Sequence, residues 1–166
     1  MSQPIIYLAF ANDKDNPLKS LEEEENGIRE ELRPREEEHH FEVEHDSFAT
    51  REIIARRLAD FKSDLVVFHY SGHADEGGLE TAGEKTLSEG IAGLLGDCPR
   101  LRLVVLNGCS TRQQVDLLLK EGVPAVVATY APIKDPKAKE FGITFFRELA
   151  NFKPIKEAFD TAIETV

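Results

Sequence analysis

His73 and Cys109 are the residues of this chain whose types and spacing could do chemistry. Each follows a glycine, in Tyr70-Ser71-Gly72-His73-Ala74 and in Leu106-Asn107-Gly108-Cys109-Ser110-Thr111, and they stand 36 positions apart. A thiolate is a strong nucleophile, but a free cysteine titrates near 8.5, so at neutral pH it needs help. An imidazole within reach supplies that help by taking the thiol proton, and can later protonate a departing amine. Ser110 or Thr111 can cap a following helix, whose positive end favours the thiolate. Taken singly, each residue has a plainer reading: a cysteine at a strand end is often a small core hydrophobe, and a histidine beside a loop is often structural. The pairing of two glycine-flanked reactive residues carries the functional reading, with backbone N–H groups nearby to hold an oxyanion.

Both residues need a scaffold that brings them together. Leu65-Val66-Val67-Phe68 and Leu101-Arg102-Leu103-Val104-Val105-Leu106 are apolar runs that lead into the two glycine segments. They read as buried parallel strands, and open α/β sheets place their chemistry at the carboxyl ends of such strands. Ile5 to Phe10 is a further buried strand, and Phe41 to His45 alternates as a half-buried edge strand. Asn16-Pro17 reads as the start of a helix with Leu18, Leu21, Ile28 and Leu32 inward and Pro34 ending it. Thr50 caps a helix with Ile53, Ile54, Leu58 and Phe61 inward. Residues 75–85, with Gly77, Gly78 and Gly83, read as a mobile loop. Leu87 to Leu95 is a short helix. After Cys109 comes a helix with Val115, Leu118 and Leu119 inward, which Gly122 stops. Pro124 to Tyr130 is a fifth strand, and Asp135-Pro136 and Pro154 open two last helices. This alternation predicts an α/β fold: a three-layer sandwich with a mostly parallel sheet of about five or six strands and helices on both faces.

Composition bounds the rest. A chain of 166 residues with 41% hydrophobic content is expected to form a single domain over 1–166, of a size also found within longer multidomain chains. Two cysteines and no visible signal peptide point to a reducing cytoplasm. A net charge of −11 disfavours nucleic acid, and no apolar stretch approaches membrane-spanning length. Lys19 to Asp46 holds twelve acidic and four basic residues, −8 of the −11. The runs Glu22 to Glu25 and Glu36 to Glu38 read as a solvated helix face and a polar loop, with a surface for basic partners as the other reading. His39-His40 beside three glutamates is a poor metal site, because adjacent residues on a polar loop rarely converge on one ion. Asn12 to Asn16 lacks the glycines of a phosphate cradle, so no nucleotide is expected, and no cofactor. Cys98 falls at the opposite sheet edge and reads as structural. His69 shares a strand face with Ser71, where it is a packed histidine or a support for the site.

The His73 and Cys109 segments resemble the His and Cys boxes of CHAT-domain peptidases, caspase-like cysteine peptidases related to separases and metacaspases. Gly77-Gly78-Leu79, Gly122 to Thr129, Ile133-Lys134-Asp135 and Phe141 to Leu149 are similar to further family segments, so the resemblance spans nearly the whole chain. It implies that Cys109 is the nucleophile of an endopeptidase and His73 its general acid/base, with the oxyanion held by the backbone N–H groups of Cys109 and Ala74. Separase-like relatives carry a Trp-Asp pair, whose acid helps select basic P1 residues, where this chain has Ala131-Pro132. Asp75, Glu76 and Asp135 are the remaining acids for a substrate pocket, with solvated loop residues as the commoner reading of the first two and a helix N-cap as that of Asp135. The family context implies a regulated bacterial signalling or defence effector acting on a protein or peptide, with a sensor or repeat domain in the same or a partner chain. A catalytically silent adaptor of the same fold is the alternative. A flavodoxin-like or TIR-like signalling module is a third, disfavoured by the missing cradle.

Overall fold

Alternating faces explain the central sheet. The computed structural model describes residues 2–72, 74–75, 78–81, 84–108, 112–130 and 136–166, with backbone alone between 74 and 88. In chain order the elements are β1 (Ile5–Phe10), α1 (Lys19–Glu37), β2 (Glu42–Asp46), α2 (Arg51–Asp60), β3 (Leu65–Ser71), β4 (Ala74–Asp75), β5 (Gly78–Thr81), β6 (Glu84–Leu87), α3 (Ser88–Gly96), β7 (Leu103–Asn107), α4 (Arg112–Lys120), β8 (Val126–Ala128), α5 (Pro136–Ala150) and α6 (Ile155–Glu164). Five strands form one sheet in the order β2-β1-β3-β7-β8, and every pairing in it is parallel. Tyr7, Ala9, Phe68, Tyr70, Val104 and Leu106 face α2, α3 and α4. Ile6, Leu8, Phe10, Leu103 and Val105 face α1, α5 and α6. Covering both faces is why the central strands are apolar at consecutive positions until their carboxyl ends, where His69, Ser71 and Asn107 fall. Each large side chain buried here contributes roughly 1.5–3 kcal/mol.

Helix ends differ from the sequence expectations in an informative way. Asn16 does not cap α1; the first turn begins after Leu18, which offers no side-chain cap. Asn12, buried at the end of β1, closes the loop instead: its Oδ1 accepts from Leu18 N at 2.7 Å and its Nδ2 donates to Leu18 O at 3.2 Å. Pro34 lies inside α1 rather than ending it. It falls in the last turn, where one lost N–H bond is tolerable, and its own carbonyl accepts from Glu38 N at 3.2 Å. The stop is His39, at φ 63°. His39 N bonds Glu36 O and His40 N bonds Arg35 O, the paired bonds of a Schellman end. Phe152 does the same for α5 and Gly122 for α4. His39 and His40 therefore serve a helix terminus, and His40 packs edge-on against Phe152. Thr50 caps α2 as expected, accepting from Ile53 N at 3.3 Å.

Of the segment expected to be a loop, residues 75, 78–81 and 84–85 are strand, and 76, 77, 82 and 83 lie outside the described residues. β4, β5 and β6 form a separate three-stranded sheet, antiparallel throughout, with Glu80 opposite Lys85 and Leu79 opposite Thr86. Leu119, expected inward, is 49% exposed. The buried line of α4 runs through Gln114 and Leu118, one helical repeat apart.

Tyr7 makes a pH-dependent contribution. Its hydroxyl donates to Asp46 Oδ2 at 2.8 Å, and Asp46 also holds Arg57 at 3.1 Å. Burial first, and then the Asp46 carboxylate, push the Tyr7 phenol far above its ordinary value. The folded state thus keeps a proton that the unfolded chain releases near pH 10, so this contribution is complete below about pH 10 and declines above it. Urea unfolding between pH 8 and 11 is expected to show a steeper alkaline loss of stability in the wild type than in Tyr7→Phe. Parallel slopes would refute the assignment.

Candidate functional site

The carboxyl ends of β3 and β7 are neighbours. Their parallel register sets Tyr70 opposite Leu106 and Ser71 opposite Asn107, and Gly72 N donates to Asn107 O at 3.3 Å. Both glycines are demanded by close approach. Gly108 has φ +112°, and a Cβ there would lie 2.6 Å from Gly72 O. A Cβ at Gly72 would lie 2.7 Å from the Tyr70 hydroxyl and 2.8 Å from Ala11 Cβ. The next residue of each chain segment is the expected reactive one. His73 and Cys109 themselves lie outside the described residues, as do Glu76, Asp135 and the Ala131-Pro132 pair. Ala74 and Asp75 form β4, whose backbone pairs with Leu79 and Gly78 of β5.

Beneath the two strand ends lies a polar cluster, of which the sequence suggests His69 and Ser71 but not Glu24, Asn107 or Thr129. Glu24 of α1 is 2% exposed. Its Oε1 accepts from Asn107 Nδ2 at 2.7 Å and lies 3.2 Å from His69 Nε2, while its Oε2 accepts from Ser71 Oγ at 2.7 Å. Asn107 Nδ2 also donates to Ala138 O at 2.8 Å. Thr129 Oγ1 donates to Asn107 Oδ1 at 2.7 Å and accepts from Gly108 N at 2.9 Å. His69 is fully buried between Phe10 and Phe146. Its Nδ1 has no hydrogen-bond partner among the described residues, which fits the tautomer that donates from Nε2 to Glu24. Glu25 is turned inward too, accepting from Ser47 Oγ and sitting 2.8 Å from His45 Nδ1.

The solvated-face reading of the Glu22 to Glu25 run therefore fails for its second half. The signal was present: positions 24 and 25 fall between Leu21 and Ile28 on the apolar side of the helix, at spacings of three and four. The glutamate run conceals it, because four consecutive acids show their charge in composition and their facing only in phase with Leu21 and Ile28.

Cys98 sits at the other edge of the sheet. It is buried, and its Sγ donates to Leu94 O at 3.3 Å. Burial holds its thiol above the ordinary value, so less of it is thiolate at neutral pH. Among the described residues no group of three or more His, Cys, Asp or Glu side chains could hold a metal ion, and no helix is long and apolar enough to cross a membrane.

No curated protein matches this chain. The all-parallel sheet, the adjacent strand ends and the glycines that join them agree with the match of a CHAT-domain family model to residues 2–166, and the chain belongs to the CHAT-domain family, a caspase-like, peptidase-related group.

Proposed function

We propose that this protein is a cysteine endopeptidase in which Cys109 is the nucleophile and His73 the general acid/base. The observation that carries this reading is the adjacency of Gly72 and Gly108 at the ends of paired strands, since each immediately precedes one of the two residues. The start of α4 three residues after Cys109 adds a helix N-terminus on the thiol's side of the chain. In this mechanism His73 removes the thiol proton and Cys109 Sγ attacks the peptide carbonyl. The backbone N–H groups of Cys109 and Ala74 hold the oxyanion. His73 then protonates the departing amine, and a water deprotonated by His73 releases the acyl group from sulfur. Asp75, Glu76 and Asp135 are assigned to the substrate pocket. The substrate is a protein or peptide, cleaved in regulated bacterial signalling or defence within the reducing cytoplasm.

Cleavage of a mixed peptide library by the wild type, with Cys109→Ala as blank, tests this reading and reports the P1 preference. A thiol measurement accompanies it. Iodoacetamide is expected to label Cys109 at least about tenfold faster than Cys98 at pH 7, because one thiol is activated and the other is held protonated by burial. Equal rates, with no peptide cut, would favour the adaptor reading. That reading draws on β8, one of the two outer strands of the parallel sheet, beside which Val126, Tyr130 and Phe159 line an open groove next to α6.

A further inference from the structure

We infer that Glu24 is a positioning residue for the site, holding the two strand ends that lead into His73 and Cys109 through Asn107, Thr129 and Ser71. The inference rests on the cysteine-peptidase reading and extends it to residues that touch no substrate. Three donors converge on the Glu24 carboxylate, and each comes from the end of a strand that serves the site: His69 and Ser71 from β3, Asn107 from β7. The chain of bonds then continues outward through Asn107 Oδ1 and Thr129 Oγ1 to the N–H of Gly108. Every proton in this path has one consistent direction, so the Asn107 amide orientation and the Thr129 hydroxyl rotamer are both determined. The residue before Cys109 is thereby held by its own backbone N–H, and the residue before His73 is held by its bond to Asn107 O.

Anchoring α1 to the sheet does not require this carboxylate. Leu21, Ile28 and Leu32 already do so with buried apolar surface. A buried carboxylate is a costly way to hold a helix, tolerated when its donors are fixed and worth fixing. Among the described residues no lysine or arginine pairs with it; the carboxylate is met by His69, Ser71 and Asn107. The opposite helix makes room. A Cβ on Gly142 of α5 would lie 2.9 Å from Glu24 Oε1 and 3.0 Å from Asn107 Nδ2. A glycine in a helix interior weakens the helix, and here it leaves the volume that the carboxylate and amide occupy.

The test compares wild type, Glu24→Leu, Glu24→Gln, Gly142→Ala and Leu32→Ala for peptide turnover, for iodoacetamide labelling of Cys109, and for melting temperature. Glu24→Leu is expected to lower kcat by roughly 100-fold with KM changed less than about threefold, the loss that a misplaced reacting group produces. Its Cys109 labelling rate at pH 7 falls by about tenfold. Gln restores kcat to within roughly tenfold of wild type, since its oxygen can accept from Asn107 and its amide can donate to Ser71 Oγ. Gly142→Ala, which leaves the carboxylate in place but pushes on it, moves kcat and labelling in the same direction as Glu24→Leu. Leu32→Ala, on the same helix but outside the cluster, lowers the melting temperature and leaves kcat of the folded protein within about twofold. Should Glu24→Leu fail to fold, Gly142→Ala and Glu24→Gln carry the comparison. Turnover and labelling that follow only melting temperature across the series would overturn the inference and leave the peptidase reading intact. A wild-type Cys109 labelled no faster than Cys98, with no peptide cut, would overturn both.

Discussion

Cys109→Ala is expected to abolish cleavage of every peptide that the wild-type protein cuts, with a rate loss of about 10⁴-fold or more and little change in melting temperature. The size follows from the role. When a covalent nucleophile is removed, the remaining site retains only binding and oxyanion stabilisation, and the loss exceeds about 5 kcal/mol of transition-state stabilisation. Removing one sulfur atom costs the fold at most about 1 kcal/mol, a shift of roughly 2–4 °C for a domain of this size. The contrast between the two numbers is the diagnostic. A melting temperature that falls by about 10 °C or more, with activity lost only in proportion to unfolded protein, would mark Cys109 as structural. His73→Ala should remove turnover comparably, and should also make the Cys109 labelling rate follow the titration of an ordinary thiol. An unchanged pH profile in that variant would break the dyad assignment.

Gly108→Ala is expected to combine, alone among the described glycines, a strained backbone with a backbone clash. Two costs coincide there. The backbone is at φ +112°, a conformation that L side chains rarely adopt, and the new Cβ would lie 2.6 Å from the Gly72 carbonyl oxygen. The first costs about 1–3 kcal/mol. The second cannot be relieved by rotating a side chain, since the atom it meets is backbone, and overpacking of this kind typically costs about 1–3 kcal/mol more. Together they predict a destabilisation of roughly 2–6 kcal/mol and a melting temperature lower by about 4–24 °C. The β3 and β7 ends must separate to admit the methyl group, so activity of the still-folded protein should fall by a further factor of roughly 100. Gly122→Ala is the matched control: Gly122 also has positive φ, at +94°, but open space around its missing Cβ. It should lose stability without losing turnover per folded molecule. Equal turnover in the two variants would show that the contact between the strand ends does not govern the site.

Much of this was legible in the chain. Ile5 to Phe10, Leu65 to Phe68 and Leu103 to Leu106 are apolar at consecutive positions, and a strand of that kind must be covered on both faces. Helical segments between them leave a parallel sheet as the arrangement that buries all of it. The glycines before His73 and Cys109 were visible as sharp local signals, and the family relationship extends them to residues 2–166. The elements misread were those whose behaviour depends on partners distant in sequence. Pro34 reads as a helix end until the bonds around His39 show where the backbone turns. Gly77 to Gly83 reads as loop because two-residue and four-residue strands have too little pattern of their own, and their stability comes from pairing with each other. Leu119 reads as core because hydrophobicity alone does not record which side of α4 meets Ile91 and Leu95.

Glu24 marks the boundary between the two kinds of information. By itself the chain determined the layers and the five strands of the parallel sheet, and it offered His73 and Cys109 as the candidate pair, because period and apolar content are local properties with one dominant burial solution. Only the tertiary structure decided that a glutamate from the first helix is turned away from solvent to meet Ser71 and Asn107, residues 47 and 83 positions later. A buried carboxylate is stable only where donors from other elements converge on it, and convergence across the sheet is a property of the folded geometry, written in no single segment.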